Sequence, residues 1–320
     1  MIDIFFSFHT GKSDYYKHTG VAMVSILEHT AGRVCFHIMH DREMPESARN
    51  ELSSVAAQYG QSAVFYDVPD IPPQVLDAVK SIHGRGTMYN LYMHRVLPLE
   101  KVLYMDCDII CQLDVEPLYN LDVSGCLCAA VPEQGIQGHI RKSGFAAGKY
   151  VNNGVMLVNL AWMREHGEEL ESLIVREMCG DNPPKFSDQD ILNMLARDHG
   201  YNILYLEEKY NYMIAVRNRQ AKHPAGFEDK IIHFTKPKPW YKLTIPGLSY
   251  WRYYNKSPWR ADTFERMSEL EWDELGYVGA VLKLKERAAR NVIWRYSLGW
   301  FGQWKKRLEC YRQRQMKKKI

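Results

Sequence analysis

Short apolar runs alternate along the first third of the chain with longer stretches in which apolar side chains recur every third or fourth position. Residues 1–8 read as a buried strand, a polar loop HTGKSDYYKHTG comes next, and VAMVSILEHT fits a helix. A second strand is expected over 33–39, a helix over 45–59 that opens with an acid at Glu46, and a third strand over 63–67. This order predicts the α/β class, with a mostly parallel central sheet and helices on both faces. A helix over 86–97 then leads into KVLYMDCDII at 101–110, which places Asp106 and Asp108 at the carboxyl end of a sheet strand. Open α/β sheets bind ligands at that edge.

Residues two apart on extended chain project to one side, so Asp106 and Asp108 point together and Cys107 turns away. Two hard oxygen donors suit Mg2+ or Mn2+, which in turn hold phosphate oxygens. The same spacing recurs at Asp188 and Asp190 around Gln189, in a segment whose Ile191, Leu192 and Leu195 mark the start of a helix. Either pair alone also fits a solvated turn or a helix N-terminus. Further on, CLCAAV at 126–131 reads as a strand, and in YVNNGVMLVNL at 150–160 Asn152, Asn153 and Gly154 precede a buried strand. Two amides and a glycine there suit either close backbone approach to a ligand or a turn with left-handed asparagines. IIHFTKPKPW at 231–240 is a strand ending in His233, then a Lys and Pro loop.

At 320 residues the chain is long enough for one large domain or one domain with an appendage, and its composition is that of a globular protein. Seven scattered cysteines without zinc-type spacing read as reduced thiols in a cytoplasmic compartment. The start, MIDIFFSFHT, has Asp3 inside its apolar stretch and no basic leader, so it is not read as a signal peptide. No run approaches the roughly 20 apolar residues of a membrane span. Charge is unevenly divided. Of 41 basic and 38 acidic residues, 283–320 hold 13 and 2, leaving 28 and 36 in 1–282. An acidic body therefore carries a strongly basic tail.

KVLYMDCDII, YVNNGVMLVNL, FSDQDILN and IIHFTKPKPW occur in the order and spacing of family 8 glycosyltransferases, which the chain resembles from residue 1 to about 260. It looks like a bacterial member, similar to the lipopolysaccharide galactosyl- and glucosyltransferases, and PGLSYWRYYNKSPW also resembles the segment after the catalytic part of such proteins. The resemblance implies a nucleotide-sugar fold of the GT-A type over 1–260, a helical region over 261–320, a UDP-sugar donor, one Mn2+ or Mg2+, and transfer with retention at the anomeric carbon. Its metal ligands fall on Asp106, Asp108 and His233, and its phosphate-binding lysine on Lys238. Lys236 stands where many members have glycine. Its sugar-binding positions fall on Asn152, Asp188 and Gln189, and Gln189 lies where the family places its residue nearest the reacting face of the sugar. An amide is a poor nucleophile, so same-face substitution is expected over double displacement. Tyr15, with Tyr16 as competitor, matches the aromatic that stacks on uracil, and Met105 and Cys107 are expected to offer backbone to the ribose and uridine. Glycoside hydrolysis, the other use of paired carboxylates, needs neither metal nor a phosphate-binding lysine.

The chain departs from the family pattern in three places. Ser7, Phe8, His9 and Thr10 replace an acidic pair, with Asp14 as substitute. Asn90 replaces an arginine, with Arg85 and Arg95 the nearest cations, and the acid after AAV falls at Pro132 or Glu133. The donor is thereby left open among UDP-galactose, UDP-glucose and other UDP-sugars. In the tail, Trp294, Tyr296, Leu298, Trp300, Phe301 and Trp304 are mixed with cations, a composition suited to an anionic membrane surface, where each cation adds about 1 kcal/mol. A helix packed on the body is the plainer alternative, and no nucleic-acid module accompanies the tail. The expected activity is hexose transfer to a lipid-linked glycan such as lipopolysaccharide at the inner face of the plasma membrane. The competing class is a non-catalytic nucleotide-sugar or carbohydrate binder that keeps the fold.

Overall fold

The β-rich run at the start forms strand β1 (Ile2–Phe8), buried at every position, and the βα rhythm continues from it in the computed structural model of the chain. Residues 1–11, 14–79, 84–214, 228–244 and 246–272 are described; the basic aromatic tail lies outside them. Helix α1 (Tyr15–Leu27) leads to β2 (Val34–His40), α2 (Glu46–Gln58), β3 (Ser62–Asp67) and α3 (Pro73–Asp77). A 3-10 helix, Arg85–Arg95, precedes β4 (Lys101–Met105), β5 (Ile109–Cys111) and α4 (Glu116–Tyr119). Then come β6 (Cys128–Pro132), α5 (Gln137–Lys142), β7 (Val151–Asn159), α6 (Leu160–Glu165), α7 (Gly167–Met178), α8 (Ser187–Asp198), β8 (Ile203–Tyr205), β9 (Tyr212–Met213) and β10 (Ile231–His233).

Seven strands form the main sheet in the order β3-β2-β1-β4-β7-β6-β8. All its neighbours are parallel except those of β7, which is antiparallel to both β4 and β6. Because β7 is reversed, its amino end meets the carboxyl end of β4, with Val155 opposite Met105. One sheet face packs against the 3-10 helix and α6 to α8 through Phe5, Met88, Tyr92, Tyr104, Met156, Leu173 and Ile191, all buried. Each such side chain contributes about 1.5–3 kcal/mol by leaving water. A small sheet, β5-β10-β9, pairs Ile109 with His233.

Several details differ from the expected elements. Helix α1 starts at Tyr15, inside the segment expected as loop, because its buried positions include Thr19 and Gly20, which carry no hydrophobic signal. The Thr19 hydroxyl is satisfied within the helix by the Tyr15 carbonyl at 3.0 Å. The helix expected over 86–97 winds as a 3-10 helix, with Met88 to His94 all buried, so tertiary packing sets its geometry. The strand expected over 101–110 is two strands of different sheets, and Asp106 and Asp108 converge across the turn between them instead of along extended chain. Asn152 and Asn153 lie within β7 and are extended, not left-handed.

The chain divides into two compact units, Met1–Met213 with Glu228–His233, and Ile214–Phe227 with Phe234–Ile320. In the second, helix Gly247–Tyr254 buries Tyr250, Trp251, Tyr253 and Tyr254, and the Trp251 indole donates to the Pro239 carbonyl at 3.1 Å. No helix among the described residues is long and apolar enough to cross a membrane.

Candidate active site

Asp106, Asp108 and His233 each direct one donor atom to a common point, all within 4.8 Å of one another. Strand β4 delivers Asp106, the turn into β5 delivers Asp108, and β10 delivers His233 by pairing with β5. His233 Nε2 lies 3.5 Å from Asp106 Oδ2 and 3.4 Å from Asp108 Oδ1. Its Nδ1 lies 2.9 Å from Asn211 Oδ1, an acceptor, so the proton sits on Nδ1 and Nε2 presents its lone pair to the carboxylates. Burial presses His233 below its ordinary pKa, against the pull of Asp106 and Glu133, and keeps the imidazole neutral, as a metal ligand must be.

Gly154 makes this convergence sterically possible. A Cβ there would stand 2.3 Å from His233 Cε1 and 2.9 Å from Asp106 Oδ2. Its carbonyl instead accepts the Asp106 N–H at 2.8 Å, and its own N–H donates to Asn152 Oδ1 at 3.0 Å. The residues Asn153, Gly154 and Val155 bulge out of the β6–β7 ladder, whose register passes from Ala130–Met156 to Val131–Asn152. Bulges beside functional sites re-aim side chains in this way. The oxygen and imidazole donors, the single available imidazole lone pair and the space kept by Gly154 together fit a hard divalent cation.

A polar network extends from the triad. Asn211 Nδ2 donates to Asn152 Oδ1 at 2.7 Å, and Asn152 Nδ2 donates to Glu133 Oε2 at 2.8 Å and to Gln189 Oε1 at 3.1 Å. Glu133 is thus the acid that faces the network, not Pro132. Asp188, in the first turn of α8, accepts from Asn153 Nδ2 at 2.5 Å and from Asn90 Nδ2 at 3.0 Å. Burial raises its carboxyl to about 7; the hydrogen bond from Asn90 opposes this and the Asp106 charge adds to it. Tyr104 donates to Asp106 Oδ1 at 2.6 Å. The second carboxylate of the other pair, Asp190, turns away to hold His139 at 2.7 Å and Tyr150 at 2.6 Å.

Six of the expected site residues therefore come together: Asp106, Asp108, His233, Asn152, Asp188 and Gln189. Met105 and Cys107 flank them in sequence and are buried, Cys107 with its sulfur 3.7 Å from the Ser7 carbonyl. Tyr15 opens α1 after Asp14, edge-on to His18 at 5.7 Å, while Asp14 pairs with Lys17 at 3.8 Å. His9 and Thr10, at the place of the missing acidic pair, are held by Asp41. Neither cation near Asn90 replaces an arginine there: Arg85 binds Asp77, and Arg95 binds Glu171 and the Asp70 carbonyl. Lys236 and Lys238 belong to the second unit, where Lys236 is exposed and Lys238 half-buried. Sequence reasoning missed Asn211 and Tyr104 as parts of the site, and it marked Asn153 for its backbone, not for the side-chain amide that holds Asp188. An asparagine among the tyrosines and aliphatics of the run KYNYMI is the trace that Asn211 leaves in the sequence.

The family model described as Glycosyl transferase family 8 matches residues 7–244. Lipopolysaccharide glucosyltransferase WaaO of Escherichia coli (strain K12) is 28% identical over 262 residues, covering 75% of each chain. General stress protein A of Bacillus subtilis (strain 168) is 23% identical over 279 residues, covering 82% of this chain and 93% of that one. Among solved structures, galactosyltransferase LgtC in complex with donor and acceptor sugar analogs superposes with a TM-score of 0.67 at 22% identity, covering 81% of this chain and 99% of that chain. The apo-form glycosyltransferase GlyE of Streptococcus pneumoniae TIGR4 gives 0.60 at 22% identity, covering 84% and 63%.

Proposed function

The chain belongs to glycosyl transferase family 8 and has the GT-A fold, and from that premise we propose that it moves a hexose, galactose or glucose, from a UDP-sugar to a glycan acceptor with retention of configuration and with the help of Mn2+ or Mg2+. The observation that carries the reading is the convergence of Asp106, Asp108 and neutral His233 beside the amino end of β7. Those three residues would hold the ion, whose chemistry is to offset the charge that grows on the diphosphate as it leaves.

The chain's own residues supply the rest. Asp188, gripped by Asn90 and Asn153, is a fixed acceptor for sugar hydroxyls. Gln189 has its Oε1 engaged by Asn152 and is neutral, so it does not serve as a covalent nucleophile. The departing phosphate oxygen then takes the acceptor's proton on the same face, and Lys238, with Lys236 near it in sequence, is the residue that the family pattern assigns to the phosphates. Tyr15 is the residue assigned to the uracil, with Asp14, Met105 and Cys107 near the nucleoside. For the acceptor, the likeness to WaaO supports lipopolysaccharide or another lipid-linked surface glycan. The basic tail from about residue 283, with its net charge of +11, supports attachment at an anionic membrane face. Truncation after Leu282 is expected to release the protein from anionic vesicles and to spare UDP-sugar hydrolysis; unchanged vesicle binding removes the membrane role.

The primary test is UDP release from a panel of UDP-sugars by full-length protein, with Mn2+ and with EDTA. Metal-dependent release from one sugar names the donor. UDP binding without release from any sugar, acceptor present or not, overturns the transferase reading in favour of a binder.

A further inference from the structure

A second group of side chains of metal-ligating types lies on β1 and β2. Asp3 is the register partner of Cys35, and His37 comes two residues later on β2, so all three project from one face of the parallel pair. Asp3, Cys35 and His37 are 8%, 5% and 5% exposed, and each offers one donor atom within 4.8 Å of the others. The outward valences of two of them are already occupied. Tyr119 donates to Asp3 Oδ2 at 3.0 Å, and the Tyr66 hydroxyl lies 3.0 Å from His37 Nδ1, its ring stacked on the imidazole at 5.8 Å. The inward atoms are Asp3 Oδ1 and His37 Nε2, 3.0 Å apart, with the Cys35 sulfur beside them.

We propose that Asp3, Cys35 and His37 form a buried zinc-class metal site, distinct from the oxygen-rich triad at Asp106, Asp108 and His233. Thiolate, imidazole and carboxylate together are the donor set that Zn2+ takes, whereas Mg2+ and Mn2+ prefer oxygen. Tetrahedral zinc with bonds of about 2.0–2.1 Å to nitrogen and oxygen sets neighbouring donors about 3.3 Å apart, close to the spacing present. Thiolate and carboxylate charges would balance a dication in a place too buried for either charge to stand alone. The hydroxyls of Tyr66 and Tyr119 occupy the outer-shell positions that fix imidazole and carboxylate orientation in metal sites. Proton affinities agree: hydrogen bonding to His37 pulls the Cys35 thiol below its ordinary range against the effect of burial. Burial would press His37 down, but hydrogen bonds to Cys35 and Asp3 outweigh it and leave it raised.

The site holds β1 to β2 by their side chains, so its role is structural, and catalysis should survive its loss wherever the fold does. The probe is Co2+, titrated into full-length Asp108→Asn protein so that the oxygen-rich site does not compete. One equivalent should bind with a thiolate-to-cobalt charge-transfer absorption, displaced by Zn2+. Cys35→Ser should abolish that absorption, while Tyr66→Phe and Tyr119→Phe should keep it and weaken affinity about 10- to 100-fold. Should Cys35→Ser fail to fold, His37→Gln provides the same test through a changed spectrum and a comparable loss of affinity. A folded protein that shows no such absorption has a metal-free hydrogen-bonded cluster, and the proposal is wrong. Absorption that persists in Cys35→Ser belongs to another thiol, such as Cys107, and overturns it equally.

Discussion

Asn211 Oδ1 accepts the Nδ1 proton of His233 at 2.9 Å, and through that bond a residue outside the candidate ligand triad decides which imidazole nitrogen faces the carboxylates. The same asparagine donates to Asn152, which reaches Gln189 and Glu133. One fully buried amide thus couples the orientation of the candidate metal ligand to the candidate sugar pocket.

Asn211→Ala should therefore raise the Mn2+ concentration needed for half-maximal UDP release by about 10- to 100-fold, the usual cost of losing an outer-shell partner. Asn211→Asp, which keeps the acceptor facing His233 but loses the donor to Asn152, should recover part of the affinity. Metal titrations of the two variants that coincide with wild type would show that Asn211 does not orient His233.

Removing a ligand is harsher than misaligning one. Asp108→Asn and His233→Ala should each abolish metal-dependent turnover, because each deletes one of three converging donors. Circular dichroism and gel filtration should show both variants folded. Near-normal rates in either would remove the metal-site assignment.

The strands were legible because β1, β2 and β4 are buried apolar runs, and the carboxylate pair because β4 ends where the polar chemistry begins. The features that stayed hidden depend on tertiary contact. The early start of α1 rests on Thr19 and Gly20, small residues that are buried without being apolar. Asn211 reaches His233 across an intervening segment, and no local pattern marks that pair. Asp3, Cys35 and His37 meet only because the β1–β2 register aligns them. The wrong geometry at 101–110 has a specific cause: apolar Ile109 and Ile110 continue the run, but they pair with β10 in another sheet.

Gly154→Ala should lose metal-dependent activity and destabilise the fold by about 1–3 kcal/mol, since its Cβ would overlap His233 and Asp106. The matched control is Gly138→Ala, where nothing lies within 4 Å of the added carbon and a neutral to slightly stabilising effect is expected. Urea unfolding and Mn2+ titration read both. Equal behaviour of the two variants would mean that Gly154 is not held against the ligands.

Asp188 gives the metal-free protein a pH signature whose sign is fixed by its environment. Burial lifts its carboxyl from an ordinary value of 3.8 to about 7, opposed by the hydrogen bond from Asn90 and reinforced by Asp106. Between those values the folded protein keeps a proton that the unfolded chain has released, so stability falls as pH rises, by about 1.4 kcal/mol per pH interval for this group. The contribution is fully present below the unfolded value and is lost as pH passes the folded one. Asp188→Asn has no proton to give up. Its unfolding free energy in EDTA, relative to wild type, should grow between pH of about 4 and about 7 and level off above. A difference that stays constant across that range would place the Asp188 carboxyl in ordinary solvent. Adding Mn2+ should flatten the wild-type dependence, because positive charge at Asp106, Asp108 and His233 favours the ionised carboxylate nearby.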